Sequence, residues 1–596
     1  MDTNRLKRFA QDARRELQKI VKALLPLVLA ENSAARREKP QAVAELEKAL
    51  RTQGDEALID KIAYTWFNRF CALRFMDVMG YNSIRIVSPL PGHFQPEILE
   101  EAKGGNIDET FVTDSKYRAR IKGLLDGSIP AVDGQAEAYK LLLVSACNAY
   151  NKVMPFLFQK IDDYTELLLP DDLMKENSIL MKTRDALTED VAADGVEVIG
   201  WLYQFYISEK KDEVMGKTVK TEDIPAATQL FTPDWIVRYL VQNSLGRLWM
   251  LNHPNSKLAD EMEYYIPPTE EDKDFLEVKS PEELKICDPC CGSGHILTYA
   301  FDLLVKIYEE EGYDRRKIPT LILVKNLHGV EIDTRAGALA AFALTMKARE
   351  YDSRFLRREN APYPQICVLQ NITFDEGDIP QYMDAIGHDL FTESLQQTLH
   401  QFTQADCFGS LIVPKISNAA SIMDVLTERG VEAELFLAKV HNKVLDVINL
   451  ADYLSQKYHV VVTNPPYMGG KGMNADLKRF AERLYPDSKS DLFAMFIERC
   501  LELVQHQGTI GMITMQSWMF LSSFEKLRTK LLDKNTILSM AHLGARGFDS
   551  IGGEVVQTTA FTMTNTLIPD YKGAFIRLVD GNNEAEKAAM FQEAVR

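Results

Sequence analysis

Apolar positions change rhythm near residue 230, and the change predicts two architectures in one chain. Before that point they recur at helical spacing. Ile62, Trp66, Phe70, Leu73 and Met76 step by four and three, which lays one apolar face along a helix. Ile20 to Ala30 carries Lys22 and Pro26 and reads as an amphipathic helix. Trp201 to Ile207 reads as an aromatic-rich helix closed by the charged run Ser208 to Asp212. Helices packing on one another account for these stripes better than a base-stacking surface does.

From Phe231 onward the pattern is strand, glycine turn, helix, strand. Expected strands are Lys285 to Asp288, Leu327 to Ile332, Gln365 to Leu369, His459 to Val462, Thr509 to Thr514, Thr536 to Leu543 and Val555 to Thr564. Ile296 to Tyr308, Ala336 to Arg349 and Glu432 to Tyr458 are the expected helices. A continuous run such as His459-Val460-Val461-Val462 marks a strand buried on both faces, as in a parallel sheet. The alternation predicts an α/β fold with seven strands, mostly parallel, joined by right-handed crossovers. The expected organisation is therefore a helical domain over 1–225 followed by a Rossmann-like domain over 226–596. Insertions at about 253–283 and 378–430 interrupt the second domain, and no internal repeat is visible.

Composition narrows the class. Of 596 residues, 46% are hydrophobic and 26% charged, the balance of a globular chain. No apolar run reaches the roughly 18 residues that a membrane span needs, so a cytoplasmic protein without a membrane partner is expected. The net charge of −18 argues against generic, charge-driven nucleic-acid binding, although it says nothing about a local basic groove. Cys287-x-x-Cys290 has redox or zinc spacing but lacks a second pair or a histidine cluster, so no metal site is expected.

Three motifs carry candidate chemistry. Asp288-Pro289-Cys290-Cys291-Gly292-Ser293-Gly294 follows a strand and opens a helix, where glycines allow close backbone approach to a ligand. The motif has no Gly-Lys-Ser/Thr, and its acid disfavours a pyrophosphate. Gly329-Val330-Glu331-Ile332-Asp333 ends the next strand with an acid placed to accept from ribose hydroxyls. Together they ask for a nucleoside-like ligand without negative charge, which S-adenosylmethionine satisfies. Asn464-Pro465-Pro466-Tyr467 is a stiff turn at a strand's carboxyl end, since each proline fixes its own φ and restricts its predecessor. It offers an amide oxygen, a free carbonyl and an aromatic face. Such a set can grip both N–H bonds of an aromatic amine and stabilise the positive charge that grows there.

These motifs, preceded by Phe231-Thr232-Pro233, occur in the order of the gamma-class adenine-N6 DNA methyltransferases. Ala63 to Arg69, Ile199 to Lys211 and Ala226 to Pro233 resemble more specifically the PglX-type methyltransferases of BREX phage-defence systems. The resemblance implies a site-specific enzyme that moves a methyl group from S-adenosylmethionine to the N6 amine of a flipped adenine in double-stranded DNA. It also implies other BREX defence proteins as partners. By the same resemblance, Asn464, Pro465, Pro466 and Tyr467 are the catalytic turn. Thr232, Pro233, Asp288, Cys290, Gly292, Gly294, Glu331, Ile332 and Asn371 bind the cofactor. Tyr467 and Phe548 sandwich the target base. Cys290 stands where the family has alanine, and the family's C-terminal target-recognition region is expected to be absent. Two rival readings remain: a non-catalytic subunit that senses or docks DNA in a defence complex, and a methyltransferase acting on protein glutamine or ribosomal RNA.

Overall fold

The computed structural model describes residues 3–159, 164–214, 216–268, 274–387, 391–429, 435–549 and 556–596. They form two compact units. The first joins Met1–Glu209 to Ala341–Tyr363, and the second joins Lys210–Ala340 to Pro364–Arg596. Residues 341–363 follow a strand of the sheet unit in sequence but fold with the helices, where Phe342 is buried and meets Phe75 edge-on at 6.4 Å.

The first unit is helical. Its long helices include Thr3–Leu29, Asp55–Val78 and Gly134–Tyr150. The stripe Ile62, Trp66, Phe70, Leu73 and Met76 is buried throughout, so it is a packing face. The aromatic helix does not stop at the charged run, because Glu197–Val214 is continuous. Asp77 is buried at the end of its helix, and its carboxylate accepts the N–H groups of Ile86, Val87 and Ser88 at 2.9 Å each. Burial pushes this carboxyl above the usual carboxylate range, and the three backbone donors oppose that rise.

The second unit is built on one sheet. Its strands are β1 (Ile286–Asp288), β2 (Leu327–Glu331), β3 (Gln365–Val368), β4 (Tyr458–Thr463), β5 (Val504–Met515), β6 (Thr536–Gly544), β7 (Thr558–Thr564) and β8 (Ala574–Arg577). They lie in the order β3-β2-β1-β4-β5-β7-β6-β8, parallel except that β7 runs against both neighbours. All seven expected strands are present, with Val555 outside the described residues. The sheet has eight strands rather than seven: β8, short and with alternating exposure, adds an edge.

Two other expectations shift. The helix before β4 is Leu435–Ser455, and Tyr458 opens the strand instead, paired with Val504; residues 432–434 lie outside the described residues. The segment from Asp378 is also more ordered than its weak pattern suggested. Helices Asp378–Ile386, Thr392–Gln401 and Ala419–Arg429 bury Tyr382, Leu395, Leu399 and Leu426 against Val444, Val447 and Ile448.

Sheet order positions the motifs. β1 lies between β2 and β4, with Cys287 opposite His328 on one side and Val461 on the other. The carboxyl ends Asp288, Glu331 and Thr463 therefore share one edge, where open parallel sheets bind ligands. No helix among the described residues is long and apolar enough to cross a membrane.

Candidate active site

At that edge a cavity is lined by residues of all three motifs. Cys290 and Gly292 come from the turn after β1, Glu331 and Ile332 from the end of β2, and Asn464 and Pro466 from the turn after β4. Two segments complete the wall: Ile224 to Leu230, and Cys407 to Leu411.

The turn after β1 is shaped by backbone conformations that need glycine. Gly292 has φ +54° and Gly294 φ +88°. A Cβ on Gly294 would stand 3.0 Å from the Cα of Ala340, backbone that cannot swing aside. This close approach sets the start of helix His295–Glu310 against helix Thr334–Tyr351.

Glu331 is almost wholly buried. Its Oε2 accepts the Gly292 N–H at 2.8 Å, and its Oε1 accepts those of Ile332 and Asp333 at 2.9 Å each. Burial pushes its pKa up to about 7, against the lowering effect of these N–H groups. An ionised carboxylate has roughly four acceptor directions, so the three amides leave one, on Oε2, for a ligand hydroxyl. A nucleoside ribose fits that donor set.

Asp288 links two of the motifs. It is 1% exposed and lies behind the cavity wall. Its Oδ1 accepts the Cys290 N–H at 3.1 Å and the Thr463 hydroxyl at 2.7 Å. Burial raises this carboxyl to about 7 as well. Asp288 thus ties the cofactor turn to the residue just before Asn464. Thr463 went unnoticed in the sequence, although a hydroxyl directly before the amide turn was the available signal.

The Asn464 amide is oriented from both ends. Its Nδ2 donates to the Leu230 carbonyl at 3.3 Å and to the Thr232 hydroxyl at 3.1 Å. Its Oδ1 accepts the Tyr467 hydroxyl at 2.8 Å, and that hydroxyl also lies 3.1 Å from the Ile513 carbonyl. Phe231-Thr232-Pro233 therefore sits behind the amide, while Phe231 stacks on His295 at 4.3 Å. With its NH₂ end held, the amide directs its oxygen predictably.

Of the sequence candidates, Thr232, Pro233, Asp288, Gly294, Asn371, Pro465, Tyr467 and Phe548 are not among the lining residues. Asn371 is exposed, and its Oδ1 accepts the Asp406 N–H at 3.1 Å. The next residue, Ile372, donates its N–H to the Phe402 carbonyl. Cys407 to Leu411 of the cavity wall are held by the Ser410 hydroxyl on the Pro289 carbonyl and by buried Arg499, whose guanidinium donates to the carbonyls of Ser410, Ile412 and Leu454. Phe548 is buried in the turn after β6, 3% exposed and outside the lining.

Comparison with known proteins agrees with this geometry. Residues 325–548 match the Eco57I restriction-modification methylase family. The chain is 42% identical to the adenine-specific methyltransferase BrxX of Escherichia coli O9:H4 (strain HS), over 98% of its own length and 52% of that protein. It is 38% identical to the adenine-specific methyltransferase PglX of Lacticaseibacillus casei (strain Zhang), over 90% of its own length and 46% of the relative. In sequence the chain thus resembles the BrxX and PglX methyltransferases. It spans about half the length of these BrxX and PglX relatives. Among solved structures, the type IIL restriction-modification enzyme MmeI in complex with DNA aligns with 96% of the chain and 58% of its own, at 12% identity and a TM-score of 0.44, a remote likeness.

Proposed function

We propose that the chain carries the catalytic part of an S-adenosylmethionine-dependent DNA methyltransferase acting on the N6 amine of a flipped adenine, within a BREX-type phage-defence system. Double-stranded DNA and other proteins of that system are its partners in this reading. One observation carries it: Glu331 and Asn464, from separate strands, line the same cavity. A group that fixes a nucleoside thus faces a group suited to an aromatic amine.

Glu331 would hold the ribose through its remaining acceptor direction, Ile332 would pack on the cofactor's adenine, and Gly292 lets the backbone come close. Cys290 serves as a small wall residue, since burial keeps its thiol protonated and unreactive. When bound, the cofactor supplies a methyl group already activated on a sulfonium. The chain's own task is to prepare the nitrogen. Adenine's exocyclic nitrogen is a weak nucleophile because its lone pair delocalises into the ring. The Asn464 oxygen has two lone pairs, and Tyr467 occupies one. The second, with the Pro465 carbonyl, accepts the two N–H bonds and stabilises positive charge as it develops. Neither group titrates, so this preparation calls for no general base. Tyr467 supplies a stacking face for the extruded base, and in this reading Phe548 is its partner on the other face.

The test uses full-length protein, radiolabelled methyl donor and duplex DNA, followed by identification of the modified nucleoside. N6-methyladenine whose formation depends on Asn464 supports the assignment. Label on protein or RNA but not on DNA overturns it.

A further inference from the structure

The turn after β5 places two large apolar side chains in solvent at the same sheet edge as Asn464. Phe520 is 62% exposed and Leu521 is 52% exposed. Exposed apolar residues scattered singly are ordinary. These two are adjacent, and the backbone beneath them is braced. Trp518, 4% exposed, anchors the turn with its indole N–H on the Thr514 hydroxyl at 3.1 Å and its ring 5.3 Å from Phe561. Arg528 donates to the carbonyls of Trp518 and Leu521 at 2.8 and 2.6 Å. The N–H groups of Phe520 and Leu521 both reach the Ser517 carbonyl. The turn therefore presents its apolar tip without the entropy of a loose loop.

The tip is linked to the amide turn. β5 runs parallel beside β4, with Thr463 opposite Met512, and the Tyr467 hydroxyl reaches the Ile513 carbonyl. Phe524, at the end of the turn, lies 5.8 Å from Phe493, whose ring meets Tyr467 at right angles at 6.2 Å. The helix that follows, Glu525–Lys534, carries Lys526, Arg528, Lys530 and Lys534 against Glu525 and Asp533, a positive excess in a chain of net charge −18. An apolar tip followed by cations suits a polyanion with an apolar interior.

We infer that Phe520 and Leu521 form a wedge that enters the DNA duplex beside the target adenine and fills the stack which the flipped base vacates. The inference rests on the proposed adenine methylation and adds the means of extruding the base. Unstacking and unpairing a base costs a few kcal/mol, and apolar side chains inserted between base steps offset that cost in other DNA-binding proteins. Lys526 and Lys534 would meet the flanking phosphates.

The wedge is tested with full-length parent protein and the double variant Phe520→Ala/Leu521→Ala. Two duplexes carry the adenine motif that the protein marks. In one the target adenine faces thymine, and in the other it faces an abasic site, which removes the pairing cost. The parent is expected to methylate both. The variant should lose about tenfold or more on the paired duplex and recover to within about threefold of the parent on the abasic one, with cofactor affinity and melting temperature unchanged. Phe520→Leu, which keeps an apolar tip, should retain most activity on the paired duplex. Equal activity of variant and parent on the paired duplex overturns the wedge, as does an equal loss on both duplexes, which would make the tip a packing surface. A parent inactive on both duplexes overturns the methylation reading and the wedge with it.

Discussion

The two sides of the cavity solve opposite problems. On the cofactor side, Glu331 and Asp288 are carboxyls buried within one edge of the sheet, each held by N–H or O–H donors and each raised to about 7 by burial. On the amide side, Asn464, Pro465 and Tyr467 bring no charge. Buried charge fixes a ligand strongly but ties binding to pH. Neutral acceptors stabilise a developing cation without a protonation step of their own. The contrast teaches that binding and chemistry are assigned to different kinds of polar group, joined through Thr463, which lies between Asp288 and the amide.

The largest effect that would break this comparison is on the neutral side. Asn464→Ala should lower the methyl-transfer rate by about 10²–10³, as loss of one preorganised partner of a developing charge does elsewhere, while cofactor affinity barely moves. Single-turnover transfer of labelled methyl groups, set beside calorimetric cofactor titration, separates the two quantities. A rate within a few-fold of the parent removes Asn464 from the chemistry.

The charged side should show the converse. Glu331→Ala deletes charge-assisted hydrogen bonds worth about 1.5–3 kcal/mol, so the cofactor Kd should rise by roughly ten- to a hundredfold. Unchanged affinity by the same calorimetry would move the ribose contact elsewhere.

A smaller effect sharpens the contrast through pH. Both carboxyls titrate near 7 in the folded chain, above their unfolded values of 3.8 and 4.5. Between those values and 7 the folded state holds protons that the unfolded state has lost. These groups therefore lower stability as pH rises through that window, and the loss levels off above about 7. A ligand that needs Glu331 ionised follows the opposite sign. Cofactor affinity should rise by about tenfold from pH 6 to pH 8, with proton release on binding, and Glu331→Gln should flatten the profile. An affinity independent of pH in the parent would contradict the raised carboxyl.

Smallest is the hydroxyl of Tyr467. Tyr467→Phe keeps the ring and removes one hydrogen bond to Asn464, a net contribution of about 1 kcal/mol. Steady-state kcat should stay within about fivefold of the parent, whereas Tyr467→Ala, which removes the stacking face, should cost far more. Equal losses in the two variants would shift the role from the ring to the hydroxyl.

What the sequence determined by itself is the local code. The alternation of strand-like runs, glycine turns and helices marked seven strands. Glycines at 292 and 294 marked a turn that needs positive φ, and Asn464 to Tyr467 marked a rigid polar turn. These features depend on neighbours in the chain, so spacing exposes them. Tertiary structure alone decided which groups meet. Cys407 to Leu411, in a segment without clear periodicity, became a cavity wall because Pro289 and Arg499 pin it from more than 80 residues away in each case. Asp288 braces the amide turn because parallel pairing of β1 with β4 brings Thr463 to its oxygen. Each of these outcomes is a hydrogen bond between distant residues, and such a bond leaves no periodic trace along the chain.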